Sequence, residues 1–180
     1  MRHWASLVAA GCTLTLCALT MPASPAHSQT FGRWSVSADS DSYLWASTTN
    51  DSGHALGQFC SLSEGSCVWL ITMSPGCDPG EKYTALANTD AGAEAVGMIC
   101  GGPLEGSPGR YGYAFNDFDR LTSLVTRGSS RIGIAIPLNG GQFRVVRFDL
   151  QGSQAALAAM RSTAASKLRP ARRGTRDEQL

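Results

Sequence analysis

Residues 131–150, RIGIAIPLNGGQFRVVRFDL, carry the strongest local structural signal in the chain. Isoleucine recurs at every second position of the first half, which is the period of a β-strand with one buried face. Asn139-Gly140 follows, and these residue types tolerate the positive φ angles of a tight hairpin turn. The stretch therefore predicts a β-hairpin that pairs 131–137 with 142–150. The alternating residues are Ile132, Ile134 and Ile136.

Similar short runs of β-branched and aromatic residues precede this hairpin, separated by clusters of Gly, Pro, Asn, Asp and Ser. Together with the hairpin they predict about nine strands and a mainly β fold. We expect a β-sandwich or open barrel of eight to nine strands with one or two packed helices. The seven further strands are expected at 34–38, 43–47, 56–60, 67–73, 83–87, 95–100 and 110–115.

Two segments have helical rather than strand periodicity. Apolar residues in 117–127 recur every three to four positions, with Asn116 or Asp117 as the N-cap and Gly128 at the end. The second segment, 153–167, is rich in alanine and begins with Ser153 as its cap. Both are expected to pack against the strands.

The N-terminus has the three-part layout of a secretory signal peptide. Arg2 supplies positive charge, an apolar stretch runs from Leu7 to Met21, and small residues at Ala26 and Ser28 match a cut before Gln29. An uncleaved membrane anchor is the first alternative, but the stretch is shorter than the roughly 20 residues that span a bilayer. Lipidation at Cys12 is the second. We expect residues 1–28 to be removed and the remainder to be periplasmic or secreted, with no membrane span.

The remaining chain has the length of one domain with a single core. We expect that domain to occupy 29–165. Residues 166–180 are basic and lack apolar periodicity, which predicts a disordered tail. An exported protein meets little nucleic acid, so no nucleic-acid partner is expected.

Four cysteines lie beyond the predicted cut, an even number that indicates two disulfides in an exported chain. Three pairings are possible, and we expect the sequential one. A zinc site is the alternative, but the chain has no C-x-x-C pair of the kind zinc sites use, and no metal or other cofactor is expected. The predicted disulfides are Cys60 with Cys67 and Cys77 with Cys100.

Candidate catalytic groups are few after the predicted cut. His54 is then the only histidine, and its polar surroundings indicate an exposed loop residue. Two carboxylate pairs, Asp39 with Asp41 and Asp117 with Asp119, have the residue type that glycoside cleavage needs. The first pair is interpreted as an ordinary loop. The second lies in the first turn of a predicted helix, where negative charge offsets the helix dipole.

Charge and aromatic residues suggest a binding role instead. Residues 33–109 hold 2 basic and 9 acidic residues, whereas 110–165 hold 7 basic and 3 acidic. Three explanations are open: the two halves of one fold attract each other, the charged loops are simply solvated, or one face binds a charged partner. Aromatic side chains on predicted strands are expected to be core residues or a surface platform for a glycan or peptide. The candidate binding residues are Trp45, Tyr111, Tyr113, Arg110, Arg120 and Arg131.

Residues 144–157, RVVRFDLQGSQAAL, together with Trp34 near the predicted mature start, carry a family resemblance. This segment resembles the closing strand, small loop and alanine-rich helix of invasion-associated locus B-like bacterial periplasmic proteins. Proteins of that family often carry a cysteine shortly after the tryptophan. This chain differs, because residues 35–42 contain none. The resemblance implies a β-rich envelope protein linked to host interaction or envelope maintenance, with no catalytic residues to transfer.

The function expected from the sequence is therefore an exported, non-catalytic binding protein of the bacterial envelope. Its partner is expected to be another envelope or host protein, or a glycan. An inhibitor or accessory subunit of another exported protein is one alternative, motivated by the charge segregation. A small hydrolase that uses the aspartates is the other.

Overall fold

One antiparallel sheet and two helices make up the part of the chain described by the computed structural model, residues 28–37, 42–74, 76–137 and 141–168. The strands are β1 (Ser28–Phe31), β2 (Trp34–Ser37), β3 (Tyr43–Thr49), β4 (Ala55–Ser61), β5 (Ser66–Met73), β6 (Lys82–Thr89), β7 (Gly92–Pro103), β8 (Tyr111–Phe115), β9 (Arg131–Pro137) and β10 (Phe143–Asp149). The helices are α1 (Phe118–Arg127) and α2 (Ser153–Leu168). The strand order is β1-β2-β3-β4-β5-β8-β7-β6-β9-β10.

The prediction of a mainly β fold with packed helices is confirmed. The strands form one open sheet. Its buried face is covered by the two helices and not by a second sheet. The sequence missed β1, which pairs with β2 from Ser28↔Ser37 to Phe31↔Trp34. Its residues are mostly exposed and lack the apolar alternation by which the other strands were predicted.

The core lies on the inner face of the sheet, the face covered by the helices. Helix α2 packs on β1, β2 and β3, whereas α1 packs on β5, β6 and β7. Trp34 and Trp69 meet edge to face at the centre, with ring centroids 6.3 Å apart. Both indole N–H groups are satisfied: Trp34 donates to the carbonyl of Asp149 and Trp69 to the hydroxyl of Thr122, each at 2.9 Å.

The predicted hairpin is confirmed by the register of β9 and β10. Pairing runs from Pro137↔Phe143 to Arg131↔Asp149, and the three alternating isoleucines of β9 are buried. The tight turn itself, Asn139-Gly140, lies outside the described residues.

Both predicted disulfides are present, Cys60–Cys67 and Cys77–Cys100. The first joins directly opposed residues of β4 and β5. The second ties the loop before β6 to β7. Two disulfides indicate an oxidising environment.

The two helices begin and end close to the predicted positions. Asp117 precedes α1, but its carboxylate makes no capping hydrogen bond and accepts instead from the backbone N–H of Gly97 at 2.9 Å. Helix α2 ends at Leu168. Neither helix within the described ranges has the length and apolar character needed to cross a membrane. Residues 1–27 of the predicted signal segment fall outside these ranges, and Ser28, its last residue, is the first residue of β1.

Candidate functional site

The turn between β3 and β4 meets edge strand β10, and Asn50 makes this junction. Its Oδ1 accepts hydrogen bonds from the backbone N–H groups of Ser52 at 3.1 Å and His54 at 2.9 Å. Its Nδ2 donates to the carbonyl of Arg147 on β10 at 3.2 Å. One side chain therefore shapes the turn and fixes it to the strand.

Three adjoining clefts open around Arg147. The first, the junction cleft, has a volume of about 290 Å³ and is lined by Asn50, Asp51, Ser52, His54 and 144–147. The second, of about 190 Å³, adds Arg33 and Arg131. The third, of about 540 Å³, lies on the outer face, where Arg131 and Arg147 border exposed apolar side chains. Those side chains are Leu86 and Val145.

Arginine dominates these clefts. We call Arg33, Arg131, Arg144 and Arg147 the arginine surface; all four are exposed. Within the described ranges, the recorded ion pairs join Arg120 and Arg127 to Glu94 and involve none of these four. Clustered guanidinium groups without ion pairs leave a positive potential at the cleft mouths.

The nearby carboxylates only partly offset this charge. Asp149 accepts from the backbone N–H of Gln151 at 2.7 Å, and Asp90 accepts from the backbone N–H of Ser129 at 2.9 Å. The hydrogen bond from the Ser129 hydroxyl, and then the one from its backbone N–H, lower the pKa of Asp90 below its ordinary value. Asp51 is exposed at the rim of the junction cleft.

His54 lies at the base of the junction cleft, only 4 % exposed. This corrects the expectation of an exposed loop histidine; the turn folds inward around Asn50, and Arg110 lies against the ring. Arg110 Nη1 is 2.9 Å from His54 Nδ1, and Nη2 donates to the carbonyl of Ser52 at 3.1 Å. Burial, then the charges of Arg110 and Arg144, lower the pKa of His54 below its ordinary value.

The three candidate aromatic residues do not share one surface. Tyr113 is buried on the inner face against Tyr83, with ring centroids 5.8 Å apart, and the partly buried Tyr111 lies on the same face. Trp45 lies on the outer face opposite Phe59. It lines a cleft of about 430 Å³ together with Arg33 and Asp51, so it borders the arginine surface.

The three candidate arginines also separate. Arg131 belongs to the arginine surface, and Arg110 lies behind it as the partner of His54. Arg120 is on α1, where it pairs with Glu94 at 3.3 Å and donates to the carbonyl of Ala95 at 3.3 Å.

Sequence reasoning missed Arg33, Arg144 and Arg147. A signal for Arg147 was available, because the hairpin register places it opposite Gly133, diagonal to Arg131 on the outer face. No local sequence pattern indicates that Arg33 lies near Arg131 and Arg147. It depends on how the sheet brings the β1–β2 turn close to β10.

The candidate hydrolase pair at α1 lies away from these clefts. Asp117 is held by Gly97, and Asp119 is exposed in the first turn of α1. Asp39 and Asp41 lie outside the described residues. Within the described ranges, no group of three or more His, Cys, Asp or Glu side chains is placed to hold a metal ion.

These features define the fold as an open antiparallel sheet with two helices on its inner face. The crystal structure of invasion associated protein B from Bartonella henselae has a similar fold, with a TM-score of 0.50 and 13 % sequence identity over 78 % of this chain and 98 % of that one. The family resemblance carried by 144–157 is thereby supported at the level of the fold. No family model and no curated protein matches the sequence.

Proposed function

We propose that this protein is an exported binding protein, periplasmic or secreted, that recognises an acidic glycan through the arginine surface. The observation that carries the proposal is the convergence of Arg33, Arg131 and Arg147 on one cleft without an ion pair among the described residues. Neighbouring like charges repel, so such a cluster contributes little to folding and gains from a bound anion.

The ligand class follows from the chemistry of the clefts. Guanidinium groups bind carboxylate, sulfate and phosphate oxygens through paired hydrogen bonds. The half-buried ring of Trp45 borders the same surface, and an indole face suits the apolar face of a sugar ring. Asn, Ser and Thr side chains complete the lining and offer partners for hydroxyl groups.

Binding is tested by retention of the oxidised chain on an immobilised sulfated polysaccharide. We expect the R131Q/R147Q variant to elute at clearly lower salt than the native chain. The matched control is K82Q/R127Q, which removes the same amount of charge at two positions that line none of the clefts. Equal elution of both double variants, or no retention of the native chain, would contradict the proposal.

Export is tested separately by producing the full chain in a bacterial host and measuring the intact mass of the extracytoplasmic product. The predicted signal and the two disulfides support a product that begins near Gln29 with all four remaining cysteines oxidised. An uncut cytoplasmic chain, or four free thiols, would count against export.

A further inference from the structure

The junction cleft has a buried imidazole with one nitrogen still available. Arg110 occupies Nδ1 of His54, and among the described residues no hydrogen bond reaches the other ring nitrogen, Nε2. The residue is 4 % exposed, and that small exposed part lies at the cleft that it lines. Because His54 lines the cleft, a ring nitrogen without a protein partner is suited to a ligand atom.

Arg110 determines what His54 offers to that ligand. A guanidinium group can only donate hydrogen bonds, so Nδ1 accepts and the proton of the neutral ring lies on Nε2. The lowered pKa of His54 favours this neutral form. His54 therefore offers a hydrogen-bond donor to the cleft. Arg144 lines the same cleft and contributes positive charge.

The position of Arg110 is itself fixed by the turn. It donates to the carbonyl of Ser52 at 3.1 Å, and Gly53 leaves the space that its guanidinium fills. A Cβ at Gly53 would lie 2.6 Å from Arg110 Nη2, and the glycine has a φ of +72°. Arg110 and His54 thus form a unit that is in place before any ligand arrives.

Asp51 also lines the junction cleft, where it is exposed. Its carboxylate only accepts hydrogen bonds, so it favours a ligand that carries a hydroxyl group beside its charge over a bare inorganic anion. At about 290 Å³ the junction cleft has the size of a single small ligand unit. An anionic group at Arg144 and a hydroxyl at Asp51 are both satisfied by one charged sugar.

We infer that the junction cleft is a subsite for one sulfate or phosphate monoester group on a sugar, bound by Arg144 and His54, with Arg110 as a positioning residue. This inference rests on the proposed function, because it assigns one charged unit of the acidic glycan to one cleft. Sulfate and phosphate monoesters both present tetrahedral oxyanions to the cleft. The experiment below distinguishes between the two.

The test is NMR of the oxidised chain with isotope-labelled histidine, titrated with glucosamine 6-sulfate and with glucose 6-phosphate. We expect a saturable shift of the His54 ring signals with at least one of the two, and a smaller response to inorganic sulfate and to neutral N-acetylglucosamine. The sugar that gives the tighter saturation identifies the source of the oxyanion. No saturable shift with either sugar would overturn the inference.

Variants assign the roles. R144Q is expected to weaken binding of the charged sugar at least tenfold, whereas R127Q, on α1, is expected to change it less than twofold. R110Q is expected to alter the nitrogen shift pattern of His54 in the absence of sugar, because the hydrogen bond that fixes the ring tautomer is lost. Equal effects of R144Q and R127Q, or an unchanged nitrogen pattern in R110Q, would overturn the corresponding role. An unchanged amide spectrum outside the cleft verifies that each variant is folded.

The outcome also separates this inference from the proposed function. Polysaccharide retention that depends on Arg131 and Arg147, without any His54 response, would remove the subsite and leave the proposed function intact. A saturable His54 response in a chain that the polysaccharide column does not retain would remove the proposed function.

Discussion

Gly152 joins β10 to α2 in a conformation that other residues rarely adopt, with a φ of +89°. The β1–β2 turn packs directly against it, and Arg33 N–H donates to the carbonyl of Gln151 at 3.0 Å. A Cβ at Gly152 would lie 1.9 Å from the carbonyl oxygen of Phe31. The two turns can approach this closely only because the side chain is absent.

Gly152→Ala is therefore expected to lower the free energy of unfolding by at least about 2 kcal/mol, since backbone atoms must move as well as φ. Gly80→Ala is the matched control, because Gly80 has a φ of +86° but no atom within 4 Å of a built Cβ. We expect that control to cost about 1 kcal/mol. Urea unfolding of both variants measures the difference, and equal losses would show that the contact with Phe31 is not close.

His54 makes stability depend on pH. Burial and the charges of Arg110 and Arg144 oppose protonation, so the pKa of His54 is lower in the folded chain than in the unfolded chain. The unfolded chain then binds more protons, and the free energy of unfolding falls as pH drops below about 6.5 and through the folded-state pKa. The stability contribution of neutral His54 is fully present above that range.

His54→Gln removes the titration while keeping a side chain that can accept from Arg110. We expect the variant to show a flatter dependence of unfolding free energy on pH between the folded and unfolded pKa values of His54. Chemical denaturation across that range provides the measurement. Parallel pH profiles for the native chain and the variant would contradict the assignment.

Among the elements, the sequence predicted those whose side chains alternate or recur with a clear period. The β9–β10 hairpin and α1 were found because buried isoleucines and leucines mark one face of each. Strand β1 was missed because its four residues, SQTF, show no such period and are ordered by pairing with β2. Tertiary pairing, rather than propensity, explains that strand.

The two disulfides are expected to differ in their contribution to stability. Cys60 and Cys67 are 7 positions apart and already opposed in the β4–β5 pair, whereas Cys77 and Cys100 are 23 positions apart and hold a loop on β7. The chain-entropy model gives about 2.5 kcal/mol for the shorter closure and about 3.5 kcal/mol for the longer one. Cys77–Cys100, which closes the longer loop, should therefore contribute more to the free energy of unfolding.

Urea unfolding of C60S/C67S and C77S/C100S tests this order. We expect the second double variant to lose about 1 kcal/mol more than the first. Each variant retains the other disulfide and serves as the control for the other. A larger loss in C60S/C67S would indicate that packing around the β4–β5 pair outweighs loop closure.

At the scale of the molecule, the candidate site depends on sheet curvature. Strands β3 and β10 are far apart in the strand order, yet Asn50 beside β3 bonds to Arg147 on β10. Local patterns predict the strands other than β1 but not how far the sheet curls. Arg131 was therefore proposed from charge alone, and Arg33 and Arg144 were not found. His54 was misjudged for the same reason, since its ring is covered by Arg110, which lies just before β8 and far away in the sequence.

The most direct test of the arginine surface is the salt dependence of affinity for a soluble sulfated polysaccharide. If Arg131 and Arg147 contact its anionic groups, the logarithm of the binding constant falls linearly with the logarithm of the salt concentration, because bound counterions are released. We predict a slope shallower by about two charge contacts in R131Q/R147Q, with K82Q/R127Q parallel to the native chain. Parallel slopes for the native chain and R131Q/R147Q would contradict the account.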